Sequence, residues 1–291
     1  MSETISENQV LSSLLKSCSI VIPAYNEESR ITSVLNETCN FISTNKLPWE
    51  IIIAVDGNDN TNDIVEKYHN NYSFVISKRS PGRSGMGGAI RRGIASAKGE
   101  FTILMDADGS AKLQDMLDKA SLLERYDVLN FNRYSLPSNF IPVKRKLASR
   151  GFNLILKFLF NINVQDTQCG YKIMKTEVAV TIVNRITFSN AFFLTAIFLH
   201  SKKMGVKVTE VPLCYKHTDG SKFNVVMTAI SYLISIFAFR MKNSFFYRYI
   251  PTSFKQLYYR KFRYLWYWAQ ANLNIRHHKV AETDRKVSIF S

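Results

Sequence analysis

The stretch FTILMDADGS, residues 101–110, runs from an apolar, strand-like segment straight into two aspartates separated by one alanine. A strand alternates its side chains, so continued extension predicts that Asp106 and Asp108 point the same way. Two carboxylates held side by side repel each other unless a cation stands between them and a further ligand. Taken alone, such a triplet is usually a solvated turn. Its neighbours along the chain carry more information. CSIVIPAY (18–25) leads into Asn26 and Glu27, WEIIIAVDGND (49–59) ends in Asp56 and Gly57, and DVLNFNRY (127–134) ends in Arg133. YSFVISKR (72–79) is a further run of this kind. Between these runs lie segments with helical spacing: EESRITSVLNETCNFIS (27–43), GGAIRRGIASAKG (87–99) and QDMLDKASLLERY (114–126). Strand and helix alternating at this length predict an α/β fold, Rossmann-like, with a mostly parallel sheet and flanking helices. Ligands of such sheets sit outside the carboxyl ends of the strands, where four runs each offer charge to one crevice.

Composition narrows the class. The 291 residues are 46% hydrophobic, enough for a sizeable core. Four cysteines, Cys18, Cys39, Cys169 and Cys214, form no C-x-x-C pair, which argues against a zinc site or a disulfide framework and fits a reducing compartment. Residues 1–17 carry early glutamates without a basic start and apolar run, so they read as an N-terminal extension and not as a signal peptide. From Gly85 the G-x-G-x-x-G dinucleotide pattern fails at Ile90, and no G-x-x-x-x-G-K-[ST] occurs. Aspartates with arginines nearby suit instead a diphosphate whose oxygens are bridged by a cation.

The net charge of +15 is unevenly spread. From Arg240 onward there are eleven Lys and Arg against Glu282 and Asp284, and twelve aromatics lie between Phe245 and Trp268. Amphipathic rings and basic side chains at this density suit a membrane interface; the alternative is a helix packing its aromatics on the domain or on a second subunit. NVVMTAISYLISIFAF (224–239) is shorter than the ~20 residues that span a bilayer as a helix, so a core helix or a shallowly inserted one is expected. The expected organisation is an extension (1–17), the α/β domain (18–223) and C-terminal membrane-interface helices (224–291), with the protein peripheral or monotopic on the cytoplasmic face of a membrane.

SIVIPAYNEESRI (19–31), AVDGNDNT (54–61), SGMGGAIRRGIASAKGE (84–100), ILMDADGS (103–110), NRY (132–134) and DTQCGYKIM (166–174) occur in this order. Together they resemble the inverting glycosyltransferases of the GT-A fold, family 2, and within them the synthases of dolichyl-phosphate mannose and dolichyl-phosphate glucose. The resemblance covers about residues 18–240. It implies that Pro23, Ala24, Tyr25, Glu27 and Asp56 hold the nucleoside, with Ala107 and Gln168 also on the nucleotide sugar. It implies that Asp106 and Asp108 bind Mg²⁺ or Mn²⁺ on the donor diphosphate, and that Arg133 lies near the donor phosphates. VKRKLASRGFNLILKFLF (143–160) reads as a helix with a basic start and an apolar remainder, on which Arg145 and Ser149 share a face. By resemblance these two meet the acceptor phosphate, as does Lys222 in the G-S-K loop. The partners implied are a nucleotide-sugar donor, a polyprenyl (dolichyl) phosphate and a membrane surface, with no nucleic acid.

An inverting transfer to a hydroxyl normally needs a carboxylate base. A phosphate monoester has a second pKa near ~6 and is already mostly dianionic at neutral pH, so no general base is assigned. The Q-x-x-R-W of processive synthases is absent. Met86 stands where the glucose branch usually has lysine, Val55 where the second motif usually has its first aspartate, and FFLTAIFL (192–199) lacks an acidic pair of the glucose branch. The sugar is left as glucose or mannose. The rival readings are a family 2 enzyme with a soluble or glycan acceptor, a sugar-nucleotide pyrophosphorylase, which would open with G-x-G-T-R after its first strand, and a non-enzymatic nucleic-acid binder.

Overall fold

CSIVIPAY forms β1 (Cys18–Tyr25), and EIIIAVD forms its parallel partner β2 (Glu50–Asp56). Both are buried on two faces, which is why they read as near-continuous apolar runs. The structure is a computed structural model that describes residues 16–80, 82–216, 225–242, 244, 249 and 251–253. Most of the N-terminal extension, Lys222 and nearly all of the aromatic, basic tail lie outside the described residues.

β3 (Val75–Ser77), β4 (Phe101–Leu104), β5 (Val128–Asn132), β6 (Lys172–Lys175) and β7 (Val208–Pro212) complete a seven-stranded sheet in the order β3-β2-β1-β4-β6-β5-β7. The β1–β2, β2–β3, β1–β4 and β5–β7 pairs are parallel, and β6 runs antiparallel to both β4 and β5. The carboxyl ends of β1, β2, β4, β5 and β7 therefore share one edge of the sheet, and so does the amino end of β6. That single reversed strand brings residues 166–171 to the crevice.

The helices of this unit are α1 (Ile31–Thr44), α2 (Thr61–Asn71), α3 (Met86–Ala95), α4 (Leu113–Leu117), α5 (Val143–Phe160), α6 (Thr176–Arg185) and α7 (Phe192–Met204). One core layer joins Ile20, Ile22, Ile51 and Ile53 to Ile31, Leu35 and Ile42 of α1. On the opposite face α3 lies so close to β1 that a Cβ on Gly93 would come within 2.4 Å of Val21. The expected helix 114–126 is broken: α4 stops at Leu117 and a 3₁₀ turn spans Ala120–Glu124. Three residues per turn keep Ala120 and Leu123 on one buried side, which explains the switch of period.

The described residues fall into two compact units, the second beginning at α8 (Val225–Lys242). Among the described residues no helix is long and apolar enough to cross a membrane.

Candidate active site

Strand order turns at β1: the chain moves outward to β2 and β3, then returns to β4 on the other side. This is where an α/β sheet opens a crevice. The β1–β4 ladder ends at Val21↔Leu104, and two residues on Pro23 has no N–H to extend it, so the strands part.

On the β1–β2 side, the two loops are laced together. Glu27 N–H donates to Thr61 Oγ1 (2.8 Å), Glu28 N–H to Asp59 Oδ2 (3.2 Å) and Asn58 N–H to Asn26 Oδ1 (3.2 Å). Gly57 has φ +106°, and a Cβ there would meet Asn26 Oδ1 at 2.0 Å, so this crossing needs glycine. Glu27 is held by Arg30 through two hydrogen bonds of 2.7 Å. Ala24 is buried in the core, whereas Tyr25 is exposed with the Arg83 guanidinium 4.4 Å above its ring. Asp56, expected to hold the nucleoside, is 3% exposed and accepts from Ser84 N–H, Ser84 Oγ and Arg92 Nη2. Arg92 also donates to the carbonyls of Lys78 and Val55. Asp56 and Arg92 together therefore pin the loop after β3 to the end of β2.

On the β4 side, the strand stops at Leu104, and Asp106 and Asp108 lie in the turn beyond it. Alternation along a strand is thus not what pairs them. The turn does so, with Gly109 at φ +67°, Ala107 tucked into the core, and Ser110 N–H donating to Asp108 Oδ1 (3.0 Å). The two carboxylates feel each other: burial, then the charge of Asp108, pushes Asp106 up to about 6, against the pull of Arg133, Lys172 and Arg145. A Cβ on Gly170 would stand 2.1 Å from Asp106 Oδ1, so only glycine allows the 166–170 loop to lie against this carboxylate. Tyr171 Oη accepts from Ala111 N–H (3.1 Å) and ties the same two segments again.

Arg133, 6% exposed at the end of β5, is gripped by Asp166. Burial alone would neutralise the pair; instead Asp166's charge and hydrogen bond hold Arg133 protonated, and Arg133 holds Asp166 below the usual carboxylate range. Lys172, fully buried on β6, donates to Asn130 Oδ1 (2.8 Å) and to the Cys169 carbonyl (2.6 Å). Burial pushes its ammonium down to about 8, with Asp166 and Asp106 among the groups pulling the other way. Gln168, in the same loop, donates its amide N–H to Thr195 Oγ1 of α7.

α5 has two faces. At ~100° per residue, Arg145, Ser149 and the buried Leu156 fall on one side. Ser149 hydrogen-bonds the hydroxyl of Tyr134, and the charge of Arg145 reaches both Tyr134 and Asp106. On the other side Val143, Leu147, Leu154 and Phe158 are exposed, Phe158 by 87%. Lys146, Arg150 and Lys157 border this stripe, and the helix has no acidic residue. Between β5 and α5 is a cleft of about 260 Å³ lined by Arg133, Tyr134, Asn139 and Lys146.

Among the described residues no three His, Cys, Asp or Glu side chains cluster as a complete metal cage. Two hard carboxylate oxygens facing a basic crevice fit a small divalent ion that takes its remaining ligands from phosphate and water.

Residues 19–182 match the profile of glycosyl transferase family 2. This chain belongs to that family. It is 30% identical over 220 residues to a dolichyl-phosphate beta-glucosyltransferase (ALG5A) of Trichomonas vaginalis, covering 71% of this chain and 68% of that one. With the dolichyl-phosphate beta-glucosyltransferase of Saccharomyces cerevisiae it shares 29% identity over 248 residues, covering 77% and 74%. The fold is similar to that of M. tuberculosis glucosyl-3-phosphoglycerate synthase, with a TM-score of 0.60 at 16% identity over 81% of this chain and 84% of that one. The chain is a glycosyltransferase with a GT-A-like α/β fold.

The structure brings Glu27, Tyr25, Asp56, Asp106, Asp108, Arg133 and the 166–170 loop to one edge of the sheet. Four residues of the arrangement escaped the sequence reading: Ser84, Arg92, Asp166 and Lys172. Asp166 stood in the DTQCG stretch and Arg92 in GGAIRRG, but neither segment shows in sequence which charge it answers.

Proposed function

We propose that this chain transfers glucose from a nucleotide-diphosphate sugar to a polyprenyl (dolichyl) phosphate, with inversion at the anomeric carbon. The observation that carries the reading is the two-faced α5: Arg145 acts on the Asp106 side of the crevice, while the opposite side of the same helix exposes apolar residues. A polyprenyl phosphate has this polarity, an anion on a hydrocarbon chain. The relatives named for dolichyl-phosphate glucosyl transfer support the same acceptor and favour glucose over mannose.

Asp106 and Asp108 are the residues that would hold Mg²⁺ or Mn²⁺ with the donor diphosphate; a structure of the M. tuberculosis synthase contains Mn²⁺ and UDP. When bound, the cation neutralises charge growing on the leaving diphosphate. Arg133, kept charged by Asp166, adds a fixed positive group on the same side. Arg145 and Ser149 position the acceptor phosphate. Its dianion attacks the anomeric carbon directly: a bond from a phosphate oxygen to that carbon forms as the carbon–oxygen bond to the diphosphate breaks, and the nucleoside diphosphate leaves. Tyr25, Glu27 and the loop pinned by Asp56 form the nucleoside side. The exposed stripe of α5 with its basic border suits a membrane surface bearing anionic lipid, which supports a peripheral enzyme; the cytoplasmic leaflet, where anionic lipid concentrates, is the side this reading favours.

The test is transfer of labelled sugar into an organic-extractable product. Purified protein receives polyprenyl phosphate and Mg²⁺ or Mn²⁺ with UDP-glucose, GDP-mannose or UDP-N-acetylglucosamine in parallel. Lipid label from UDP-glucose, lost with EDTA, is the expected result. No lipid label from any donor, with nucleotide binding intact, removes the acceptor assignment.

A further inference from the structure

The buried run of α7, Phe192–Leu199, is apolar except for Thr195, which is 0% exposed. A helical threonine commonly returns its hydroxyl to the carbonyl one turn back, as Thr38 does to Val34 (2.8 Å) and Thr181 to Glu177 (2.8 Å) in this chain. Thr195 does not follow them. Its Oγ1 accepts from the Gln168 amide and donates to Thr167 Oγ1 at 3.2 Å. The hydroxyl is thus turned away from its own helix toward the 166–170 loop, and Thr167 is as fully buried as Thr195.

That loop is fixed on both sides of Gln168. Asp166 is locked to Arg133, and Gly170 lies against the Asp106 carboxylate. Gln168 itself is only half-buried. Two residues of chain span at most ~7 Å, so the Gln168 backbone stays close to the segment that packs against the Asp106 carboxylate. With the amide nitrogen committed to Thr195, the orientation of the Gln168 amide is set from behind.

We infer that Thr195 is a positioning residue for donor-sugar recognition: through Thr167 and Thr195 the protein presents Gln168 to the hydroxyl groups of the transferred hexose. A hexose is recognised by hydrogen bonds whose direction matters, and a site built for one hydroxyl pattern discriminates strongly only if its polar groups cannot rotate to suit another. The inference rests on the nucleotide-sugar reading of the crevice, but not on the identity of the acceptor.

Thr195→Val removes the hydroxyl at nearly constant volume, and Thr195→Ser restores it. Binding of UDP and UDP-glucose, and of GDP and GDP-mannose, is measured by calorimetry on the full chain with Mn²⁺, alongside kcat/KM for UDP-glucose and UDP-galactose. The Val variant is expected to bind the bare nucleotide as wild type does, to lose on the order of tenfold in the preference for the correct nucleotide sugar, and to regain it with Ser. Equal weakening of nucleotide and nucleotide sugar, or unchanged sugar discrimination in the Val variant, overturns the inference and leaves Thr195 a core residue. If wild type binds a nucleotide sugar yet transfers nothing to polyprenyl phosphate, the proposed reaction falls while the discrimination still decides this role. If wild type binds no nucleotide sugar, both fall.

Discussion

Asp166 grips Arg133 with both carboxylate oxygens: Arg133 Nε donates to Oδ2 at 2.8 Å and Nη2 to Oδ1 at 2.9 Å, and the Arg133 amide adds a third bond at 3.1 Å. Thirty-three residues separate them in the chain. The pair joins the end of β5 to the loop that enters β6, so the direction of the guanidinium is set by a segment sequence-distant from it. Asp166→Asn keeps the shape and removes the charge. Breaking a buried pair from one side costs about 3–5 kcal/mol, because the remaining charge is left without compensation. The expected outcome is a lower thermal midpoint and a loss of transfer of on the order of 10²-fold in kcat. Wild-type turnover in the Asn variant would show that Arg133 needs no such anchor.

Gly170→Ala tests the approach of the 166–170 loop to Asp106. A methyl group 2.1 Å from Oδ1 cannot be accommodated unless the Asp106 carboxylate or the loop shifts. The Ala variant should lose metal-dependent nucleotide binding while remaining folded by circular dichroism. Normal Mn²⁺-dependent binding would mean the loop yields freely.

Asp106 sets a pH dependence. Its carboxyl is raised by burial and by Asp108 to about 6, above its ordinary value of 3.8, so the folded state disfavours its charged form. In the metal-free protein this destabilisation is absent below the ordinary value, grows as pH rises through the interval to about 6, and is complete above it. A divalent cation relieves it and competes with the proton. Thermal stabilisation by Mn²⁺ with UDP should therefore be large at pH 7.5 and small at pH 5. An equal shift at both values would place the cation elsewhere. Asp108→Ala should abolish the shift and the transfer together.

The exposed apolar face of α5 suits a membrane surface, and whether it contributes there is testable apart from the tail. Leu154→Ser with Phe158→Ser removes two exposed side chains that face away from the crevice, at little expected cost to folding. Co-sedimentation with vesicles containing anionic lipid should fall by on the order of tenfold, while UDP binding is unchanged. A chain ending at Lys242, which lacks the aromatic and basic residues, should also bind less. If the double variant sediments as wild type does and the truncated chain does not, the tail is the anchor and the stripe is not.

The outcome for the individual segments shows where sequence reasoning reaches. CSIVIPAY became β1 residue for residue, because a strand buried on both faces has to be apolar throughout. Asp106 and Asp108 were legible as a pair because they are adjacent, although the reason was different: β4 ends two residues early, and a turn, not strand alternation, brings them together. The Asp56 carboxylate was legible as a strand-end acid, but not its capture by Ser84 and Arg92, which arrive from 28 and 36 residues away. Nothing in KIMK marks β6 as the reversed strand, since four residues carry the same apolar signal in either direction.

What the sequence by itself determined is the local chemistry: alternating strands and helices, charge at the strand ends, a basic amphipathic helix after Arg133, and the ordered motifs of a family 2 glycosyltransferase. These depend on side-chain period and on neighbours in the chain, which are written in the order of residues. Tertiary structure alone decided which charges answer one another. Asp166 meets Arg133, Gly170 makes room for Asp106, and Thr195 turns its hydroxyl to Gln168 because an antiparallel β6 delivers the 166–170 loop to the edge where the parallel strands end. Strand direction is set by packing of the whole sheet, and no short stretch of sequence contains it.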